Sequence, residues 1–312
     1  MGKGKKKKAN KGKKSSGGKK VRDDKDGGDS STVQITMSME QIERARLAAA
    51  NRTEDPLKNW TRLQNEDCPI CMLPLPHGAN CFMYCVTCGK TVCAGCLFST
   101  AKAHAMDGAD SKKATEKAMT CPYCRSNTVV DDDKYSLEQE TKRAKAGNGE
   151  SMCRVGQFYL EGMMGLLQQD KGEGLKWYRR ALEAGSGNAA VSLAGCYYHG
   201  DGVAQDNDMA LEYLQKSAEL GYIRAFSLIG AILMIKGELE EAMLNYRKAV
   251  VCGMSDDGLF DALRKGFKDG YITKDEYAFT LRENQKACNE MKSVAREEFK
   301  EYMNRGVGGQ DY

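Results

Sequence analysis

Four Cys-x2-Cys pairs stand between residues 68 and 124: Cys68/Cys71, Cys85/Cys88, Cys93/Cys96 and Cys121/Cys124. Cysteines three apart on a tight turn present both sulfurs to one ion. Zinc favours four such ligands in a tetrahedron, with Zn–S of about 2.3 Å. Eight thiolates fill two closed sites and leave no position for an activated water, which points to structural zinc, two ions, and away from metal-assisted hydrolysis. Nine of the thirteen cysteines fall in this block. Such clustering favours metal over disulfides in a reducing compartment. A segment this short builds little core of its own, and structural zinc supplies on the order of 10–16 kcal/mol per site.

The gaps between the pairs are unequal. Four residues separate Cys88 from Cys93, 13 separate Cys71 from Cys85 and 24 separate Cys96 from Cys121. The outer pairs read CPIC and CPYCR. In these intervals, and in that Pro and Arg, the block resembles a RING finger, whose pairs interleave. The resemblance implies that Cys68, Cys71, Cys93 and Cys96 hold one zinc, and Cys85, Cys88, Cys121 and Cys124 the other. Common RING fingers have histidine where this chain has Lys90, and a protonated lysine binds no zinc. Cys85 can supply the missing ligand, and the block then resembles the all-cysteine RING subclass, as in the ubiquitin-ligase subunit of the deadenylase complex. Cys81 is the alternative, with six residues between it and Cys88 where a knuckle has two. His77 and His104 read as ordinary surface residues. A FYVE finger, which binds phosphoinositide headgroups, shares the central spacing but needs cations where this chain has NCFMYC. A PHD finger needs a histidine and an aromatic before its last pair.

The RING resemblance implies a ubiquitin-protein ligase with no covalent intermediate. Such a finger binds a ubiquitin-conjugating enzyme charged with ubiquitin and orients the thioester for attack by a substrate lysine. The matching contact positions are Ile70, Leu97 and Pro122 for the apolar groove, and Arg125 for a bridge between conjugating enzyme and ubiquitin. The knuckle cysteines, committed to metal, are not nucleophiles. The alternative expectation is a non-catalytic zinc scaffold that uses the same parts to hold partners.

These residues need elements to position them. Residues 38–52 have helical spacing and strong helix formers, ended by Asp55-Pro56. Residues 131–148 are charged and read as a linker helix ending near Gly147. From 150 onward the pattern is helical and repeats. Gly156, Gly195 and Gly230 occupy one phase, 39 and then 35 residues apart. Each is followed by a second helix ending in Ala or Val and Gly. That is helix–turn–helix self-similarity, whose units stack because each covers its neighbour's apolar face. The middle copy carries Leu193-Ala194-Gly195, Tyr198, Gly200-Asp201-Gly202-Val203, Ala210, Tyr213 and Ala218-Glu219-Leu220-Gly221. With these residues it resembles the Sel-one-like repeats, relatives of the tetratricopeptide repeat, which implies a protein-binding scaffold for substrate or partner. The first copy has an altered loop, and the third lacks the Gly-x-Gly-Val loop.

Beyond the repeats, KDGYITKDEY (268–277) tempts a calcium-loop reading. With Gly270 at loop position six, Lys265 and Phe267 would fall on ligand positions and cannot coordinate. Thr273 and Glu276 instead form a capping box opening a long helix that runs to about Met303 and caps the array. At the other end, residues 1–22 hold eleven Lys or Arg and no acid, although the whole chain is only +4; the other 290 residues sum to −7. This tail reads as disordered, with a possible weak contact to nucleic acid. Lys6 stands where a myristoylation signal wants Ser or Thr.

The expected architecture is mostly α. A disordered basic tail (1–35) and a helical segment (36–64) precede a small cross-braced two-zinc finger (65–127). A linker (128–149), an α-solenoid of repeats (150–254), capping helices (255–305) and a tail (306–312) follow. The combination resembles an algal, diatom-type class of RING ubiquitin ligases over residues 66–300. Mean hydropathy is −0.58. The longest apolar run, 225–235, is far short of the ~20 residues a membrane span needs. The expectation is an intracellular soluble chain, cytoplasmic or nuclear.

Overall fold

Ser38 caps the first helix, α1 (Met39–Asn51). Its hydroxyl accepts the Gln41 N–H at 3.2 Å, and Gln41 Oε1 accepts the Ser38 N–H at 3.0 Å. This box satisfies donors that a helix start leaves free. The structure, a computed structural model, describes residues 38–63, 66–77, 81–106, 120–126, 133–163 and 165–307. The expected basic tail at 1–35, the last residues from 308, and the stretches 107–119 and 127–132 lie outside them. So does the side chain of His104. The described residues belong to one compact unit, Thr36–Tyr312.

After α1 the chain runs through Trp60, whose ring meets Phe226 edge-on at 5.7 Å, to the cysteine block. There a two-stranded antiparallel hairpin forms from β1 (Phe82–Cys85) and β2 (Lys90–Cys93), with Cys85 opposite Lys90. β2 leads directly into α2 (Ala94–Met106). Then α3 (Asp133–Lys145) begins a right-through helical array: α4 (Gly149–Glu161), α5 (Lys171–Glu183), α6 (Gly187–His199), α7 (Asn207–Glu219), α8 (Arg224–Lys236) and α9 (Leu239–Val251). Each packs on the next in order. α10 (Asp257–Lys268), α11 (Lys274–Glu290) and α12 (Val294–Val307) complete twelve helices among the described residues.

The array repeats because its caps and close contacts repeat. Asn148, Asp170, Ser186 and Asp206 each accept a first-turn N–H through the side chain. Gly156 lies under the Tyr178 ring and Gly230 under Tyr246, where an added Cβ would come to 2.7 and 2.6 Å. Gly195 does not share that role. It has nothing within 4 Å of an added Cβ, and the residue before it, Ala194, is buried in the core. The middle copy therefore sits one residue out of the expected phase, because its Gly200 cap follows Ala194 by the six residues that separate Gly156 from the cap Gly162.

The single long C-terminal helix expected from Thr273 to about Met303 is two helices. The Thr273–Glu276 box is present, but α11 stops at Glu290. After a break at 291–293, α12 leaves the array and packs on α2 in the cysteine block. A buried ion network fixes the far end of the array. Arg247, 1% exposed, bonds Glu276 Oε1 at 3.1 Å, Thr280 Oγ1 at 2.9 Å and Asp55 at 2.5 Å. Arg52 also pairs with Glu276. The segment after α1 is thereby tied to α9 and α11. Among the described residues no helix is long and apolar enough to cross a membrane.

Candidate metal centre

Three of the four knuckles are built alike. The residue after the second cysteine takes a left-handed backbone: Met72 (φ 53°), Gly89 (φ 68°) and Arg125 (φ 63°). Its N–H returns to the carbonyl of the first cysteine: Met72 to Cys68 at 2.9 Å, Gly89 to Cys85 at 2.8 Å, Arg125 to Cys121 at 2.8 Å. Only glycine adopts that conformation without cost, so Met72 and Arg125 are held there by the turn. The third knuckle differs. Cys93 ends β2, Cys96 lies in the first turn of α2, and the Cys96 N–H points at Cys93 Sγ, 3.5 Å away.

The turns gather the sulfurs in two groups. Cys68, Cys71, Cys93 and Cys96 form one, Cys85, Cys88, Cys121 and Cys124 the other, with all four Sγ atoms of each within 4.8 Å of one another. Sγ–Sγ distances are 4.0 Å (Cys68–Cys96), 3.8 Å (Cys71–Cys93), 3.6 Å (Cys85–Cys124) and 3.9 Å (Cys88–Cys121). A disulfide needs about 2.05 Å, and all thirteen cysteines are free thiols. The edge of a sulfur tetrahedron around zinc is about 3.8 Å, from Zn–S bonds of about 2.3 Å. Donor type, number and spacing therefore fit zinc in both groups. Cys81 belongs to neither: it sits before β1, half-buried, and its carbonyl accepts the Ala94 N–H at 2.8 Å.

The surroundings act on the sulfurs in opposite directions. Burial raises the Cys68 thiol, but N–H groups of Cys93, Cys71 and Ile70 outweigh it and bring the thiol down to about 7. Cys85 also falls to about 7, against burial, through the Cys88 N–H and the Ser126 hydroxyl. Burial pushes Cys96 and Cys88 up, and the neighbouring sulfurs add to it. Such crowded sulfurs cannot all ionise without a cation among them. Ser126 Oγ lies 2.9 Å from Cys124 Sγ and 3.6 Å from Cys85 Sγ. The guanidinium of Arg296, on α12, lies 3.4 Å from Cys71 Sγ.

Ile70 is 41% exposed, so it is not packing around a metal. Arg125 is exposed, and Leu97 and Pro122 are half-buried. The face of α2 that meets α12 carries Gly95, Phe98 and Lys102; at 100° per residue Leu97 points elsewhere. α12 thus leaves the four predicted contact residues uncovered by these contacts.

A bracket that the sequence did not advertise holds the second knuckle against the array. Arg143 on α3 donates to Thr87 O at 3.0 Å, Tyr84 Oη at 3.2 Å and Ser151 Oγ at 3.1 Å, and pairs with Glu140 at 2.9 Å. Arg154 lies over the Tyr84 ring, 3.6 Å from its centroid. His77, expected at the surface, is instead partly buried against the Cys252 carbonyl at 3.2 Å, and burial holds its pKa down. Arg143 and Arg296 are charged residues on helices, a pattern that ordinarily marks a solvated face, so neither carried a signal in sequence.

The Sel1 repeat family matches residues 149–186 and 187–222, the first two helix pairs of the array. Chitin synthase regulatory factor 4 of Schizosaccharomyces pombe is 27% identical over 126 residues, 40% of this chain and 20% of the yeast protein. The chain thus spans about a fifth of that relative's length. Among solved structures, a Sel1 repeat protein from Oxalobacter formigenes is similar at 22% identity, covering 51% of this chain and 66% of its own, with a TM-score of 0.44. A protective antigen of uropathogenic Escherichia coli with an SLR fold is similar at 25% identity, covering 64% and 43%, with a TM-score of 0.43.

Proposed function

We propose that the cysteine block is a RING-type zinc finger and the chain a ubiquitin-protein ligase whose Sel1 repeats hold the substrate or a partner protein. The observation that carries this reading is the interleaving of two four-sulfur groups: first knuckle with third, second with fourth. Cys68, Cys71, Cys93 and Cys96 would hold one zinc, and Cys85, Cys88, Cys121 and Cys124 the other. When bound, zinc supplies a structural cross-link and no reactive water, since each site has four sulfur ligands.

The chain's own residues then act by position. Ile70 offers an exposed apolar side chain on the first knuckle, and Leu97 and Pro122 extend that surface towards a conjugating enzyme. Arg125, exposed on the fourth knuckle, can donate hydrogen bonds to carbonyls of conjugating enzyme and ubiquitin at once. No side chain attacks the thioester; the gain comes from holding it near a substrate lysine. The bracket between Arg143 and the second knuckle supports this, because it sets a fixed distance between finger and repeats.

The test is reconstitution with ubiquitin, activating enzyme and a panel of conjugating enzymes. Ubiquitin chains should form, and Ile70→Ala or Arg125→Ala should reduce them at least tenfold while zinc content stays at two per chain. Two zinc ions with no chains across the panel would favour the second reading, a non-catalytic zinc scaffold, which the repeats support equally well.

A further inference from the structure

A buried guanidinium requires an anion, and Arg296 has no carboxylate. It is 9% exposed. It donates to the carbonyls of Pro74 at 2.8 Å, Leu73 at 3.3 Å and Met291, and to Cys71 Sγ at 3.4 Å. No described Asp or Glu pairs with it. Carbonyl oxygens solvate a guanidinium without neutralising it, and a buried charge left uncompensated is strongly unfavourable. The anion within reach is the first sulfur group. Four thiolates outweigh one divalent ion, so a zinc-filled site there is net negative.

We propose that Arg296 is the counter-cation of the first four-cysteine site, and that metal in this site latches α12 onto the cysteine block. The proposal rests on the zinc reading above. Arg296 is the one buried residue of α12 among its described side chains. The remaining contacts bury no other side chain of α12 fully. Phe98 meets Phe299 at 5.9 Å and Tyr302 at 5.1 Å, but Tyr302 is 60% exposed. Lys102 pairs with Glu298 at the surface, where ion pairs contribute little. The helix start is pressed against Gly95, where an added Cβ would lie 2.7 Å from the Arg296 nitrogen. Thiolate is the metal-bound form of these sulfurs. The metal also cross-links the knuckle that presents the Leu73 and Pro74 carbonyls and Cys71 Sγ to Arg296, so chelating it releases those partners and α12 loses its anchor.

The experiment uses the full chain under reductant. Removing zinc with a chelator should speed amide hydrogen exchange in 294–307 at least tenfold, with little change in 207–219. Arg296→Leu should still bind two zinc ions but release one of them roughly 10–100-fold faster, the usual scale for losing an outer-shell partner. In cadmium-substituted protein one of two metal resonances should shift and the other stay. Arg296→Lys, which keeps the charge, should restore part of the slow release and serves if the leucine variant does not accumulate. Equal exchange in 294–307 with and without zinc, or two unchanged release phases in both variants, overturns the latch. The two readings fail separately: two zinc ions without ligase activity sink the ligase alone, while a chain that binds no zinc sinks both.

Discussion

At Gly89 two demands meet: a left-handed turn (φ 68°), and an Arg143 side chain whose Nε would lie 2.9 Å from any added Cβ. The residue that follows, Lys90, stands where the RING resemblance leads one to expect a histidine, yet it is exposed at the start of β2, and the second sulfur group counts four sulfurs without it. Cys85, opposite it across the hairpin, lies in the second sulfur group, and Cys81 lies outside both. Cys85→Ser should therefore lower bound zinc from two per chain to one, and Cys81→Ser should leave it at two. Metal analysis of the purified variants decides; the reverse pattern would reassign the ligand. At this scale the grouping was readable because the intervals within these 57 residues resemble those of a RING finger, and that resemblance implied it. Arg296 was not, because it reaches Cys71 across 225 residues, and nothing local distinguishes it from a solvated arginine.

Capping signals at helix starts were legible, whereas the partners of those helices were not. Thr273 is the case in point, beginning α11 with the expected reciprocal box; Ser38 begins α1 with another, at a helix read only from its spacing and its helix formers. Glu276, the box residue of α11, is also 3% exposed and paired with Arg52 and Arg247, a second role fixed by tertiary packing. Burial acts to raise its carboxyl, but the Thr273 N–H and both arginines outweigh it, and the pKa lies below the ordinary value. A carboxyl lowered on folding contributes stability above its unfolded pKa and loses it as pH falls through the folded one. Glu276→Gln should thus lower Tm at neutral pH, and the gap to wild type should narrow towards about pH 4. A gap independent of pH would mean that shape and not charge carries the effect. Arg247→Met, which takes the guanidinium from Asp55 and leaves Glu276 with Arg52 as its remaining cation, should cost about 3 kcal/mol in denaturant unfolding. The break at 291–293 had a local signal that was overlooked: Ser293 Oγ accepts the Arg296 N–H at 3.3 Å and so caps the start of α12.

For the molecule as a whole, the repeats were readable from their period, but the charged helix expected as a linker packs as the first helix of the array, and the closure of the chain upon itself was not readable. The cysteine block touches the start of the array through Arg143, its far end through His77 at Cys252, and the last helix through Arg296. A finger on a loose linker would sample many distances from a protein held on the repeats; a bracketed one samples few, which raises the effective concentration only for targets of matching size. The bracket depends on Arg143, because Glu140 beneath it is 1% exposed. Arg143→Ala leaves that carboxylate with Tyr84 Oη at 3.2 Å and Arg154 at 4.0 Å, at a cost of about 3 kcal/mol. It touches no cysteine sulfur, so zinc content should remain two per chain. Calorimetry of the wild type should then show one unfolding transition, because the Arg143–Glu140 pair of α3 is hydrogen-bonded to Thr87 and Tyr84 of the finger. The variant should show two, with the finger's now set by its metal. A single transition at unchanged temperature in Arg143→Ala would mean that other contacts, His77 and α12 among them, are enough to hold the finger to the array.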